Sequence, residues 1–340
     1  KKKIKITQLE YILNAISSIL VTGGAGYVGS TLVNDLVKSG YKVRSLDAMF
    51  FEPNQENKFF RNDSVEFVVG DIRNNELMEK CLDGIDCVIH LAAITGPLCD
   101  KSPNSTRQIN EHATKDFVKL CKEKGVKRFF FASTCSNYGS NLSVVNEETP
   151  VNSLSLYSET KVELESFIKN LNSSEFATCI LRFSTVFGIS PIMRFDLLVQ
   201  ELILNAIVHK KIIVFGPNFW RPLIDVRDVS RACIECIKCV IGDISGEIYN
   251  VGANNQNFTK LELAKIVQEF FPEIEIEIQE FKKDPRNYKV SFDKIQERLD
   301  FKTKYTIRDG ISDMINAINN GEMYQKSDFQ TRAKLAEKIK

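Results

Sequence analysis

The sequence is poor in the features that would point to metal, nucleic-acid or membrane chemistry. Three histidines and one tryptophan occur among 340 residues. Lysine and arginine number 45 against 44 acids, a net charge of +1, so no basic excess suggests nucleic acid or an anionic surface. Beyond residue 21 no stretch is apolar for the roughly 20 residues that a membrane span requires. No internal repeat or low-complexity tract interrupts the chain. The nine cysteines (81, 87, 99, 121, 135, 179, 233, 236 and 239) are scattered. Cys236 and Cys239 have the C-x-x-C spacing, but no second cysteine or histidine pair completes a metal set, so no metal is expected. Cys233, Cys236 and Cys239 recur every third residue, as on a packed helix face. The expectation is reduced thiols in a cytoplasmic protein.

What is present begins at residue 17, with S-S-I-L-V-T-G-G-A-G-Y-V-G-S. Ile19, Leu20 and Val21 form a short continuous apolar run, as in a buried parallel strand. The run breaks into Gly23, Gly24 and Gly26, with Gly29 one turn further on. From Tyr27 and Val28 the pattern becomes helical, with Val28, Leu32, Val33, Leu36 and Val37 on one face. Strand, glycine turn and helix N-terminus together suit a phosphate. Lys1 to Lys3 and the apolar run after them imitate a secretory leader. That run ends in the glycine loop, however, so a first strand is the better reading, and residues 1–16 are an N-terminal extension.

Strands are expected at 41–47, 65–69, 86–90, 128–132 and 178–183, alternating with helices at 74–83, 105–124 and from 157. Six strands in this rhythm imply a right-handed, doubly wound parallel sheet of the Rossmann type. Asp47 ends the second strand about twenty residues beyond the loop, where a carboxylate accepts hydrogen bonds from an adenosine ribose and repels a 2′-phosphate, favouring NAD over NADP. Asp71 could reach the adenine amino group while Ile72 packs on the ring, or Asp71 could cap the next helix. Leu91, Ala92 and Ala93 come after the fourth strand with small side chains that let a ligand lie close. His90 reads as a packed strand residue.

Beyond Gly188 the rhythm loosens. Helices are expected at 194–209, 227–240, 259–270, 292–299, 308–319 and 328–339, with strands at 212–215 and 247–251. The division is an NAD-binding domain at 17–189, to which 227–252 return, and a smaller interleaved α/β substrate lobe at 190–226 and 253–340. Tyr157 and Lys161 lie four residues apart on one helix face. A tyrosine titrates near pH 10, and a neighbouring ammonium would lower it. Thr134, at the end of the fifth strand, would hydrogen-bond the same substrate oxygen.

The order of these motifs resembles the extended short-chain dehydrogenase/reductase family, in its nucleotide-sugar epimerase/dehydratase branch. The matching segments are T-G-G-A-G-Y-V-G at 22–29, L-D at 46–47, G-D-I-R at 70–73, H-L-A-A at 90–93, S-T-C-S-N-Y-G at 133–139 and Y-S-E-T-K at 157–161. L-R-F-S-T-V-F-G at 181–188, R-P-L-I-D-V-R-D at 221–228, Y-N-V-G at 249–252 and D-P-R at 284–286 extend them. The resemblance implies a catalytic triad of Thr134, Tyr157 and Lys161 working on a nucleoside-diphosphate sugar with NAD. It implies that Asn110 positions the lysine network and that Phe183 to Val186 border the nicotinamide. It gives the substrate's diphosphate to Arg221 and Arg286 and its base to Ile213 and Phe215. Thr185 stands where many members have a substrate-binding asparagine, and Asp225 where a histidine is frequent. A homodimer through the helices at 105–124 and 157–172 is also implied, with Phe117, Leu120 and Phe167 as apolar candidates that could equally face the sheet.

The residues after Thr134 bear on the reaction. Family dehydratases resemble T-D-E there, and decarboxylating members carry a glutamate at the position of Ser136. This chain has Cys135 and Ser136. The expectation is a C4 epimerase, with an NAD(P)-dependent keto-sugar reductase or dehydrogenase as the alternative.

Overall fold

The computed structural model describes residues 16–50, 64–96, 98–279 and 284–321. Most of the N-terminal extension and the helix expected at 328–339 lie outside them. A seven-stranded sheet organises the molecule. Its strands are β1 (Ser18–Thr22), β2 (Lys42–Asp47), β3 (Val65–Val69), β4 (Cys87–His90), β5 (Arg128–Thr134), β7 (Ala177–Phe183) and β11 (Glu247–Val251), in the spatial order β11-β7-β5-β4-β1-β2-β3. Every neighbouring pair is parallel. The order reverses between β1 and β4, and open sheets of this kind bind ligands beyond the carboxyl ends of the strands at that point.

Both faces of the sheet are covered, which explains the continuous apolar runs. Ile19 and Val21 point into one layer, with α1 (Tyr27–Lys38) and α6 (Val226–Lys238); Leu20 points into the other, with α2 (Asn75–Cys81), α3 (Thr114–Glu123) and α4 (Leu156–Leu171). Cys233 and Cys236 belong to the first layer as buried thiols. A third core joins Phe187, Leu223, α5 (Leu198–His209), α7 (Lys260–Phe270) and α9 (Ile307–Asn319). Around it lie β8 (Thr185–Phe187), β10 (Trp220–Asp225) and β12 (Asn257–Thr259) in one small sheet, and β9 (Lys211–Phe215) with β13 (Glu275–Gln279) in another. Tyr288 and Val290 of β14 (Asn287–Val290), Phe292 just after it and Ile295 of α8 (Asp293–Leu299) pack instead with the first layer of the main sheet. There β14 pairs with β6 (Ser140–Val145).

Two expected helices differ. Residues 105–124 are not one α-helix: a π-helical segment, Arg107–Ala113, precedes α3. The helix expected from 194 begins at Leu198, with Leu197 at the N-cap position, so residue 194 lies in the loop before it. Phe117 is 2% exposed and its ring lies tilted against His90, so it faces the sheet and is not a dimer contact. No described helix is long and apolar enough to cross a membrane.

Candidate active site

The glycine loop leads from β1 into α1, tied back by Gly23 N–H and Gly24 N–H, which both donate to the Leu46 carbonyl. Gly23 sits at φ +74°, and a Cβ there would lie 2.8 Å from the Ala92 nitrogen. A Cβ on Gly29 would strike the Gly23 carbonyl oxygen. The helix can therefore start this close to the strands only without side chains. No acid occupies the first turn of α1, so its N-terminus is free to face an anion. Gly29→Ala is expected to lower NAD retention at least about tenfold, a cost of about 1.4 kcal/mol. The check is the NAD released when equal amounts of purified wild type and variant are denatured.

One cleft collects nearly every residue assigned to the cofactor's adenosine and diphosphate. Gly23, Gly26, Tyr27, Val28, Gly29, Asp47, Asp71, Ile72, Leu91, Ala92 and Ala93 all line it. Asp47 accepts from the Ala25 and Met49 N–H groups at 3.0 and 2.9 Å; burial raises its carboxyl above the usual range and those bonds partly offset the rise. Asp71 is not a helix cap, because Asn74 caps α2. Burial would raise Asp71, but Arg73, bonded to both of its oxygens, brings it below its ordinary value. Tyr27 turns its hydroxyl away to donate to the Gly188 carbonyl. Asn110 spends its side chain on Ile94, accepting from the N–H at 2.7 Å and donating to the carbonyl at 2.9 Å. It shapes the cleft wall and does not bond Lys161. His90 is a buried strand residue held between Thr22 and Thr114, and burial lowers it to about 3.

Arg194 also lines the cleft, and sequence reasoning missed it. Asp196 holds its Nε and Nη2, and Thr95 Oγ1 accepts from Nη1 at 2.8 Å. Five guanidinium N–H groups exceed those three bonds, leaving one on each terminal nitrogen. The one local signal is the R-F-D triplet, which apolar spacing assigns to a helix.

At the end of β5, Thr134 lies opposite Phe183 in the sheet, and its Oγ1 accepts from the Ser136 N–H. Tyr157 and Lys161 stand on the first turns of α4, whose Ser155–Ser158 capping box fixes where the helix begins. The Lys161 ammonium donates to the Ala132 carbonyl at 2.6 Å and lies 4.4 Å from the Phe131 ring centre and 5.7 Å from that of Tyr157. Burial lowers it to about 8. The tyrosine departs from expectation. Burial, then the nearby Cys99, hold its phenol above the ordinary value, and the cations with the largest lowering effect are Arg194 and Arg286, not Lys161. Desolvation of a phenolate outweighs a lysine that is itself engaged elsewhere.

The remaining expected substrate residues lie in the chain after β7. Arg221 is buried; its Nη1 donates to the Trp220 carbonyl at 2.7 Å and its Nη2 to Asp284 at 2.8 Å. Arg286 grips the same aspartate through Nε and Nη2. Thr185 and Val186 are half-buried on β8, beside Leu223 and Ile224 of β10. Ile213 and Phe215 share the outer face of β9, where Ile213 is 41% exposed. Asp225 is fully buried as the N-cap of α6, accepting from the Arg227 N–H at 2.9 Å. Its place in the histidine position is thus structural.

Comparison with known proteins agrees with this fold. The model of the NAD dependent epimerase/dehydratase family matches residues 19–252. A Methanocaldococcus jannaschii protein provisionally described as a UDP-glucose 4-epimerase is 30% identical over 315 residues, 89% of this chain and 98% of its own length. UDP-glucuronic acid decarboxylase 1 of Arabidopsis thaliana is 29% identical, over 89% of this chain and 70% of its own. The solved UDP-glucuronic acid 4-epimerase of Bacillus cereus, bound to UDP-glucuronic acid and NAD, superposes with a TM-score of 0.78 at 26% identity, over 89% of this chain and 99% of that one. With a cofactor cleft built on the glycine loop and a family match over more than half its length, this chain belongs to the NAD-dependent epimerase/dehydratase family.

Proposed function

We propose that the protein is an NAD-dependent epimerase of nucleoside-diphosphate sugars acting at C4. One observation carries the reading: the two residues after Thr134 are not an acid–base pair. Cys135 is fully buried and donates to the Arg182 carbonyl, and burial pushes its thiol far above the ordinary range. Ser136 is buried too, its hydroxyl 2.9 Å from that of Thr134. Neither can assist loss of water or carbon dioxide from a sugar. The chemistry left is what Thr134, Tyr157 and Lys161 can do alone.

In that chemistry Thr134 orients the sugar's C4 hydroxyl and Tyr157 takes its proton. NAD, held along the glycine loop by Gly23, Gly26 and Gly29 with Asp47, Asp71 and Ile72 at its adenosine end, would supply reversible hydride transfer at C4. The ketone turns over between the two transfers, and Tyr157 returns the proton to the oxygen on the other face. Lys161 keeps a positive charge beside the phenol. Arg221 and Arg286 hold the substrate's diphosphate, a planar donor set matched to phosphate oxygens, with Ile213 and Phe215 bordering the base and Thr185 facing the sugar. Phe183, Val186 and Asn110 support the nicotinamide end.

A panel of UDP-, GDP-, dTDP- and CDP-sugars, followed by mass spectrometry and NMR, tests this. An epimer of equal mass is expected, with stoichiometric NAD(H) released on denaturation and none consumed in turnover. Stoichiometric consumption of added NAD(P)H would sink the epimerase and favour the keto-sugar reductase.

A further inference from the structure

Lys260 breaks several local preferences at once. It is the first residue of α7, directly after the N-cap Thr259, where a cation opposes the helix dipole. It is also 8% exposed, and a buried ammonium is costly without an anion. Its partners are neutral: Nζ donates to the Phe215 carbonyl at 3.2 Å and lies 5.8 Å from the Phe219 ring centre. Among the described residues no ion pair reaches it.

Of the charged groups facing it, two share its sign and two oppose it. Burial first, then Arg221, drive its ammonium down to about 8; Arg286 adds to the fall, and Asp284 and the exposed Glu201 oppose it. Asp284 is already committed, with Oδ1 to Arg286 and Oδ2 to both arginines. Arg286 Nη1 donates to nothing among the described residues. The cluster thus sets three cations against one inward carboxylate. A nucleoside diphosphate ester carries the two negative charges that would balance it.

We propose that Lys260 joins Arg221 and Arg286 in a three-cation site for the diphosphate of a nucleoside diphosphate. The inference rests on the nucleotide-sugar reading above. The competing role is structural, with the ammonium merely pinning the Phe215 carbonyl. Titration separates the two. An anion binds the charged ammonium, so affinity falls as pH rises through the lysine's value in the free protein. A phosphate's last ionisation, near pH 6, lies below the window.

The test is calorimetric titration of the NAD-loaded protein with UDP, CDP, GDP and dTDP at pH 7 and pH 9. Wild-type affinity is expected to fall about tenfold between the two. Lys260→Met is expected to bind at least about tenfold more weakly at pH 7, and Lys260→Arg to bind tightly at both. Ionisation of the ligand's base and of Lys161 is common to all three proteins and cancels in the comparison. Equal affinity of Lys260→Met and wild type, or identical pH profiles for wild type and Lys260→Arg, overturns the inference and leaves the nucleotide-sugar reading standing. If no diphosphate binds the wild type, both fall. Should Lys260→Met fail to fold, the wild-type and arginine profiles decide alone.

Discussion

Tyr157→Phe is expected to cut turnover on the order of a thousandfold while leaving NAD bound, the usual range for removing a positioned acid–base group. The ring stays and only the hydroxyl goes, so α4 keeps its capping box and Lys161 its bond to the Ala132 carbonyl. The environment makes the prediction sharp. Burial disfavours the phenolate, and Arg194 and Arg286 pull the other way. Arg286 also grips Asp284 at the expected diphosphate site. Two measurements check the variant: initial rates on the substrate found by the sugar panel, and NAD released on denaturation. A rate within tenfold of wild type would remove Tyr157 from the chemistry. Loss of bound NAD would mean that the hydroxyl serves the cofactor first.

The parts of the site legible in the sequence are those encoded locally. The glycine loop announces itself by a strand pattern changing to a helical one within ten residues. Asp47 and Asp71 are found because a strand's end is visible in its own residues. Tyr157 and Lys161 share a face because four residues make about one helical turn. Contacts across long sequence separations are less legible. β6 and β14 pair although about 140 residues separate them, and neither is expected as a strand from its own pattern. Arg194 falls where apolar spacing suggests helix, but Asp196 takes its guanidinium and the helix waits until Leu198. The protonation of Tyr157 escapes the sequence for a related reason: spacing shows that Lys161 is near, and depth of burial is not written in spacing. Lys260 has no motif at all, and its oddity appears only once β9, β10 and α7 meet.

Glu165→Ala is expected to destabilise the fold by about 3–5 kcal/mol, the cost of stranding one member of a buried ion pair. Glu165 and Arg182 are each about 5% exposed, with Nη2 2.6 Å from Oε2. Glu165 also accepts from Ser133 Oγ at 2.5 Å and Asn137 Nδ2 at 2.9 Å. Arg182 Nη1 donates to the Tyr138 hydroxyl at 2.8 Å, which donates to Asn250 Oδ1 at 2.8 Å. The alanine variant therefore leaves a guanidinium uncompensated and two further donors without this acceptor. Replacing both partners, as Glu165→Leu with Arg182→Met, removes the charges together and should recover much of the loss. Urea midpoints of wild type, Glu165→Ala and the double variant test this; a single-variant cost below about 1 kcal/mol, or a double variant no better than the single, would refute it. Because Ser133 directly precedes Thr134, the same substitution should also lower turnover in whatever fraction stays folded. The double variant should then regain stability without regaining full rate, since Ser133 and Asn137 still lack their acceptor and the end of β5 is no longer held beneath the site.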